Sequence, residues 1–111
     1  MAAGFEIKGG KAKFSFNLKA RNGRVILTSE SYTTKAAAQN GIKSVRKHAQ
    51  ADKNFDRRKA KDGSPYFVLV ATNKEIIGTS EMYASTTGRE TGIASVKANA
   101  PTAVIIDNTT A

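Results

Sequence analysis

The sequence predicts an α+β fold in which two tandem repeats share one sheet. Three observations predict it. The chain repeats itself at a spacing of 51 residues, each copy carries extended segments separated by turn signals, and each copy then runs into a stretch with helical periodicity.

The repeat is secure residue by residue. Phe16, Leu18, Ala20 and Asn22 fall on Phe67, Leu69, Ala71 and Asn73, and Thr28-Ser29-Glu30 and Tyr32 fall on Thr79-Ser80-Glu81 and Tyr83. Gly41, Ile42, Ser44 and Val45 fall on Gly92, Ile93, Ser95 and Val96. Fourteen of the 34 positions from 16 to 49 are identical without a gap. Upstream, Phe5 meets Phe55 if one residue is inserted near Asp62-Gly63, a difference that a hairpin turn tolerates.

The first element is a short extended segment over Phe5 to Lys8, followed by a turn at Gly9-Gly10, where glycine accepts positive φ. Lys11 to Ala20 alternates, with Ala12, Phe14, Phe16, Leu18 and Ala20 on one face and Lys11, Lys13, Ser15, Asn17 and Lys19 on the other. That is a half-buried strand. Asn22-Gly23 is a strong hairpin signal, and Arg24 to Thr28 forms the third strand. A helix starts at Lys35 with Thr34 as its N-cap, and Ala38, Ile42, Val45 and Ala49 give it one apolar face. The second copy matches, with strands over Phe55–Lys59, Pro65–Thr72 and Glu75–Thr79 and a helix from Thr86 capped by Ser85. Pro101 follows the end of that helix, and Ala103 to Asp107 supplies a last strand.

Gly41 and Gly92 sit inside helices, where glycine costs about 1 kcal/mol relative to alanine. Close approach of helix to sheet is the preferred reason, ahead of backbone exposure to a ligand. A lone repeat of three strands and one helix buries too little surface to be stable, which two copies on one sheet remedy. The repeats divide the chain into residues 1–53 and 54–111, forming a single pseudo-symmetric domain. Asn54 to Arg57 also aligns with Ile105 to Asn108 at the same spacing, so this segment ends the first repeat as well as opening the second. A C-terminal strand shared or exchanged between the halves follows.

The Thr-Ser-Glu-Xaa-Tyr segments (28–32 and 79–83), each followed by Gly-Ile-Xaa-Ser-Val (41–45 and 92–96), resemble the YegP-like family of small bacterial proteins. The resemblance covers nearly the whole chain. It implies β-β-β-α-β repeats on a single antiparallel sheet, with two helices on one face and the C-terminal strands exchanged between repeats. It also implies that a two-repeat chain is a covalent pseudo-dimer, a monomer doing what single-repeat members do in pairs. No activity, cofactor or catalytic residue is established for the family. One departure is the tight Gly9-Gly10-Lys11 turn, where many members have a longer one.

The absence of cysteine excludes disulfides, thiolate zinc sites and thiol catalysis, and His48 is the only histidine. No apolar run approaches a membrane span and the N-terminus lacks a signal-peptide stretch, so a cytoplasmic protein is expected. No cofactor and no metal is expected. Ser29, Glu30 and Tyr32, with Ser80, Glu81 and Tyr83, could in principle do acid/base work. Without a shared group to activate a nucleophile, the structural reading is preferred: Tyr under the helix start, Glu near its positive end. Gly4 to Ala12 fails the phosphate-loop pattern because no Lys-Ser/Thr pair follows Gly9. His48 is expected at a solvated helix end beside Arg46 and Lys47. The expected class is a non-enzymatic binding or interaction module.

Charge is the functional clue. The formal net charge is +9, yet residues 1–53 hold 11 Lys+Arg against 3 Asp+Glu, a net of +8. Lys11, Lys13 and Lys19 on strand two, Arg21 and Arg24 at its hairpin, and Lys43, Arg46 and Lys47 on the first helix are candidate nucleic-acid contacts. Binding there would be through backbone charge without sequence reading, because Phe14 and Phe16 lie on the core face and leave no stacking platform. On the corresponding outer face of the second copy, Tyr66, Val68 and Val70 form a candidate surface for a protein partner.

Overall fold

The computed structural model describes residues 3–109. Its elements are β1 (Gly4–Gly10), β2 (Lys13–Lys19), β3 (Val25–Thr28), α1 (Lys35–His48), a 3-10 turn (Asp52–Asn54), β4 (Phe55–Lys59), β5 (Pro65–Val70), β6 (Ile76–Thr79), α2 (Thr86–Asn99) and β7 (Val104–Thr109). The seven strands form one sheet in the order β4-β5-β6-β3-β2-β1-β7, and both helices pack on the same core. The fold is α+β, with tandem repeats and exchanged C-terminal strands: β7 leaves the second repeat to lie beside β1 of the first.

A pseudo-twofold axis passes between β3 and β6, where Thr28 pairs with its repeat mate Thr79. Next to the axis, equivalent side chains would collide. Leu27 and Gly78 are repeat mates, and a Cβ on Gly78 would stand 2.7 Å from Leu27 Cδ2. One leucine fills a space that two could not share, and it is fully buried. The helices seal the seam from above, since α1 also touches β6 and α2 also touches β3.

The sheet differs from the all-antiparallel expectation at one pair. β7 runs parallel to β1, with Gly4 opposite Val104 and Ile7 opposite Asp107. β4 aligns in sequence with both β1 and β7, but the axis between β3 and β6 maps β4 onto β1 and leaves β7 as an added strand with no mate beyond β4 among the described residues.

The first hairpin also differs. Its apex is Lys11-Ala12, at φ +53° and +66°, and Gly10 pairs with Lys13 across it. Positive φ at both central positions is the type I′ turn, one of the two two-residue loops that match the sheet twist. Gly9 and Gly10 instead close β1. Gly9 (φ +120°) lies where a Cβ would meet the Lys13 carbonyl. The remaining hairpins share one design: Asn22, Asp62 and Asn73 each accept from the amide two residues on, with Gly23, Gly63 and Lys74 at positive φ.

Each half is built on an aromatic triad. Phe5 meets Phe16 edge-on at 5.9 Å and Phe16 stacks on Tyr32 at 6.2 Å, mirrored by Phe55, Phe67 and Tyr83 at 5.7 and 6.3 Å. Both helices are capped as expected, Thr34 accepting from Ala37 N–H and Ser85 from Gly88 N–H. No helix among the described residues is long and apolar enough to cross a membrane.

Candidate interaction surfaces

The Ser-Glu-Xaa-Tyr segments are framework. Ser29 Oγ accepts from Phe16 N–H at 2.8 Å and donates to the Glu30 carbonyl at 2.8 Å; Ser80 repeats both bonds with Phe67 and Glu81. Their hydroxyl protons are thus committed to backbone. Tyr32 and Tyr83 lie under Gly41 and Gly92, so that a Cβ would fall 2.8 Å from Tyr32 Cζ or 2.6 Å from Tyr83 Cζ. Close approach therefore accounts for both helical glycines. Burial, aided by Glu30, pushes the Tyr32 phenol above its ordinary value, and burial does the same to Tyr83. Glu30 and Glu81 are exposed. Glu81, Met82 and Tyr83 border an open groove of about 320 Å³ between α2 and the β2–β3 hairpin, facing Arg24 and Val25. Glu30 is not among the residues lining it. Among the described residues, no group of three or more His, Cys, Asp or Glu is placed to hold a metal ion.

His48 is buried, unlike the solvated end expected. Thr72 N–H donates to its Nε2 at 3.2 Å, and its Nδ1 lies 2.8 Å from the Ser44 carbonyl. The amide donor leaves the proton on Nδ1, and the ring ties α1 to the β5–β6 turn.

The eight predicted cations are not brought together. Lys13 and Lys19 face away from the helices, and Lys19 is paired with Glu6 at 3.0 Å. Lys11 sits at the turn apex and Arg21 and Arg24 at the other end of β2. Lys43 and Lys47 are exposed on α1, on the opposite side of the sheet. Arg46 is half-buried and turned inward: its guanidinium donates to the Ala103 carbonyl and lies 5.3 Å over the Phe5 ring. Sequence reasoning missed Lys8, which points to the open face two residues from Gly10 and, like Lys11 and Lys13, has no ion pair among the described residues.

The apolar patch of the second repeat needs correction. Val68 is 2% exposed, and Tyr66 and Val70 are half-buried. Val68 sits mid-sheet between Asp56 and Thr79 at one register, and a twisted sheet closes neighbours over so small a side chain. The large exposed apolar residues are elsewhere: Met82, and Val104, Ile105 and Ile106 at 51, 47 and 41%. Expected as an ordinary last strand, β7 signals this only by having three consecutive large apolar residues where half-buried strands alternate.

The repeat architecture defines a duplicated β-β-β-α-β protein. The chain belongs to the DUF1508 family, described as a domain of unknown function, which matches residues 11–56 and again 60–107. It is 54% identical over 111 residues to a UPF0339 protein of Bordetella pertussis, covering all of both chains. It is 49% identical over 110 residues to the UPF0339 protein YegP of Escherichia coli strain K12, covering 98% of this chain and 100% of that one. The solution structure of the E. coli YegP, a protein of unknown function, superposes with a TM-score of 0.92 at 47% identity over 100% of this chain and 97% of that one. A UPF0339 protein from Shewanella oneidensis superposes at 0.90 with 46% identity, over 98% and 93% of the two chains.

Proposed function

We propose that the protein is a non-enzymatic interaction module that meets its partner with the first repeat and works as a single chain, the duplication standing in for a dimer. The observation that carries this reading is a coincidence of place. The charge excess belongs to residues 1–53, and the exposed run Val104–Ile106 lies against β1 of that same half. The second repeat is close to neutral, and its Asp56 and Glu90, with Asp52 of the connecting turn, are held in ion pairs by Arg57, Arg58, Arg89 and Lys97.

Association with nucleic acid through the basic first repeat is the second reading, favoured by Lys8, Lys11 and Lys13, which have no ion pair among the described residues. The scatter of the other cations and the core position of Phe16 weigh against it. Capture from a bacterial extract at about 50 mM salt, with and without nuclease, decides between them. Salt-sensitive, nuclease-resistant capture, lost on replacing Lys8, Lys11 and Lys13 with serine, is the expected result. Nuclease-sensitive capture would transfer the assignment to nucleic acid, and no capture at all would overturn both.

A further inference from the structure

We propose that the free edge of β7 is a strand-docking site for an extended acidic segment of a partner protein, an inference that rests on the interaction-module reading. Val104 N–H donates to the Ala3 carbonyl at 3.1 Å, so the main-chain groups of Val104 face β1. Main-chain groups alternate in direction along a strand, which turns those of Ile105 and Asp107 outward. β7 ends the strand order, with no strand beyond it among the described residues. The edge is held ready for pairing. Arg46 bonds the Ala103 carbonyl, Ala103 N–H bonds Asn99, and Lys35 holds Asp107 at 2.6 Å.

The two ends of the sheet are unlike. β4 reads Phe-Asp-Arg-Arg-Lys, and its exposed charges blunt strand addition. β7 has no charge from Val104 to Ile106, and its one charged residue, Asp107, is already neutralised. Pseudo-symmetry draws the same contrast. The axis maps β4 onto β1, so among the described residues the β1 end of the sheet carries an added strand, β7, and the β4 end does not.

Charge selects the occupant. Lys8 stands at the register of Asn108, and Lys11 and Lys13 follow around the hairpin. A second copy would bring a further +9 to this edge and is repelled by it. An extended segment with alternating apolar residues and carboxylates at its ends extends the ladder and matches the lysines. Main-chain bonds then supply affinity, and charge supplies encounter rate and register.

The test is fluorescence anisotropy of a labelled peptide, Asp-Glu-Val-Thr-Val-Thr-Val-Glu-Asp, with the full chain at about 50 and about 300 mM salt. Saturable binding that weakens with salt is expected, together with no binding of a peptide whose acidic residues are replaced by lysine. Ile105→Pro removes one outward N–H and leaves the β1 ladder intact, and should weaken binding about tenfold or more with the circular dichroism spectrum unchanged. Should that variant unfold, Ile105→Asp sets a like charge on the edge and should weaken binding as much. Absence of binding at low salt, or binding that both variants leave unchanged, overturns the proposal. Self-association in sedimentation that Ile105→Asp abolishes would assign the edge to a second copy and overturn it too. Failure of the peptide with nuclease-resistant capture intact would remove this site and leave the interaction-module reading standing.

Discussion

Replacing Gly92 with alanine should destabilise the protein, whereas the same replacement at Gly88, one turn earlier in α2, should stabilise it. In a helix interior, alanine gains about 1 kcal/mol over glycine. At Gly92 the new Cβ would fall 2.6 Å from Tyr83 Cζ and 3.2 Å from Cε2, well inside carbon–carbon contact. Moving the Tyr83 ring aside disturbs its stack on Phe67 at 6.3 Å, and its backbone is anchored by the N–H bond to the Pro65 carbonyl at 2.9 Å. Overpacking of this kind costs about 1–3 kcal/mol and is expected to outweigh the helix gain, leaving a net loss of about 1 kcal/mol and a thermal midpoint lower by about 5 °C. At Gly88 the nearest atoms are 3.5 and 3.6 Å away, an ordinary contact, so a gain of about 0.5–1 kcal/mol remains. Urea unfolding followed by circular dichroism measures both. A stabilised Gly92→Ala, or equal effects at the two positions, would refute the claim that tyrosine contact is what the helical glycines serve.

Two other perturbations test the seam and the ion pairs. Leu27→Gly should cost roughly 3 kcal/mol or more by emptying the space beside the pseudo-axis, and Gly78→Leu alone should overpack it; the double exchange, which moves the leucine to its repeat mate, should recover much of the loss in urea midpoints, and simple additivity would contradict the shared-space account. Hydrogen bonds from Lys97, then Arg57, lower Asp52 from 3.8 to about 2, so its contribution to stability is complete above the ordinary value and fades as pH falls through about 2; Asp52→Asn should flatten the acid limb of a midpoint-against-pH curve, and an unchanged limb would show the pair to be idle.

Much of the fold was legible because the physics was local and stated twice. Alternation around Phe16 and Phe67, the caps at Thr34 and Ser85, and the apolar faces of both helices each recur at the same spacing. Two features escaped. The Lys11-Ala12 apex carries no glycine, so the neighbouring Gly9-Gly10 drew the turn to itself. The parallel β1–β7 pair depends on where the strand after α2 docks, which is a property of assembly that no local pattern records.

The surfaces were less legible than the fold, for a reason that Val68 and Arg46 illustrate. Alternation tells which side of a sheet a residue takes, but not how tightly neighbours close over it, and Val68 is covered on the side with no helix. Likewise a cation on a helix can turn inward: Arg46 spends its guanidinium on Ala103 and Phe5. What survives is the asymmetry of charge, now joined by an exposed apolar edge on the same half.

The most direct measurement is a nitrogen–proton NMR titration of the labelled full chain with the acidic peptide. The account predicts that shifts concentrate at Ile105 to Asp107 and around Lys8, Lys11 and Lys13, with the Ile105 and Asp107 amides gaining protection from exchange. Shifts centred on the second repeat, or none at saturating peptide, would contradict it.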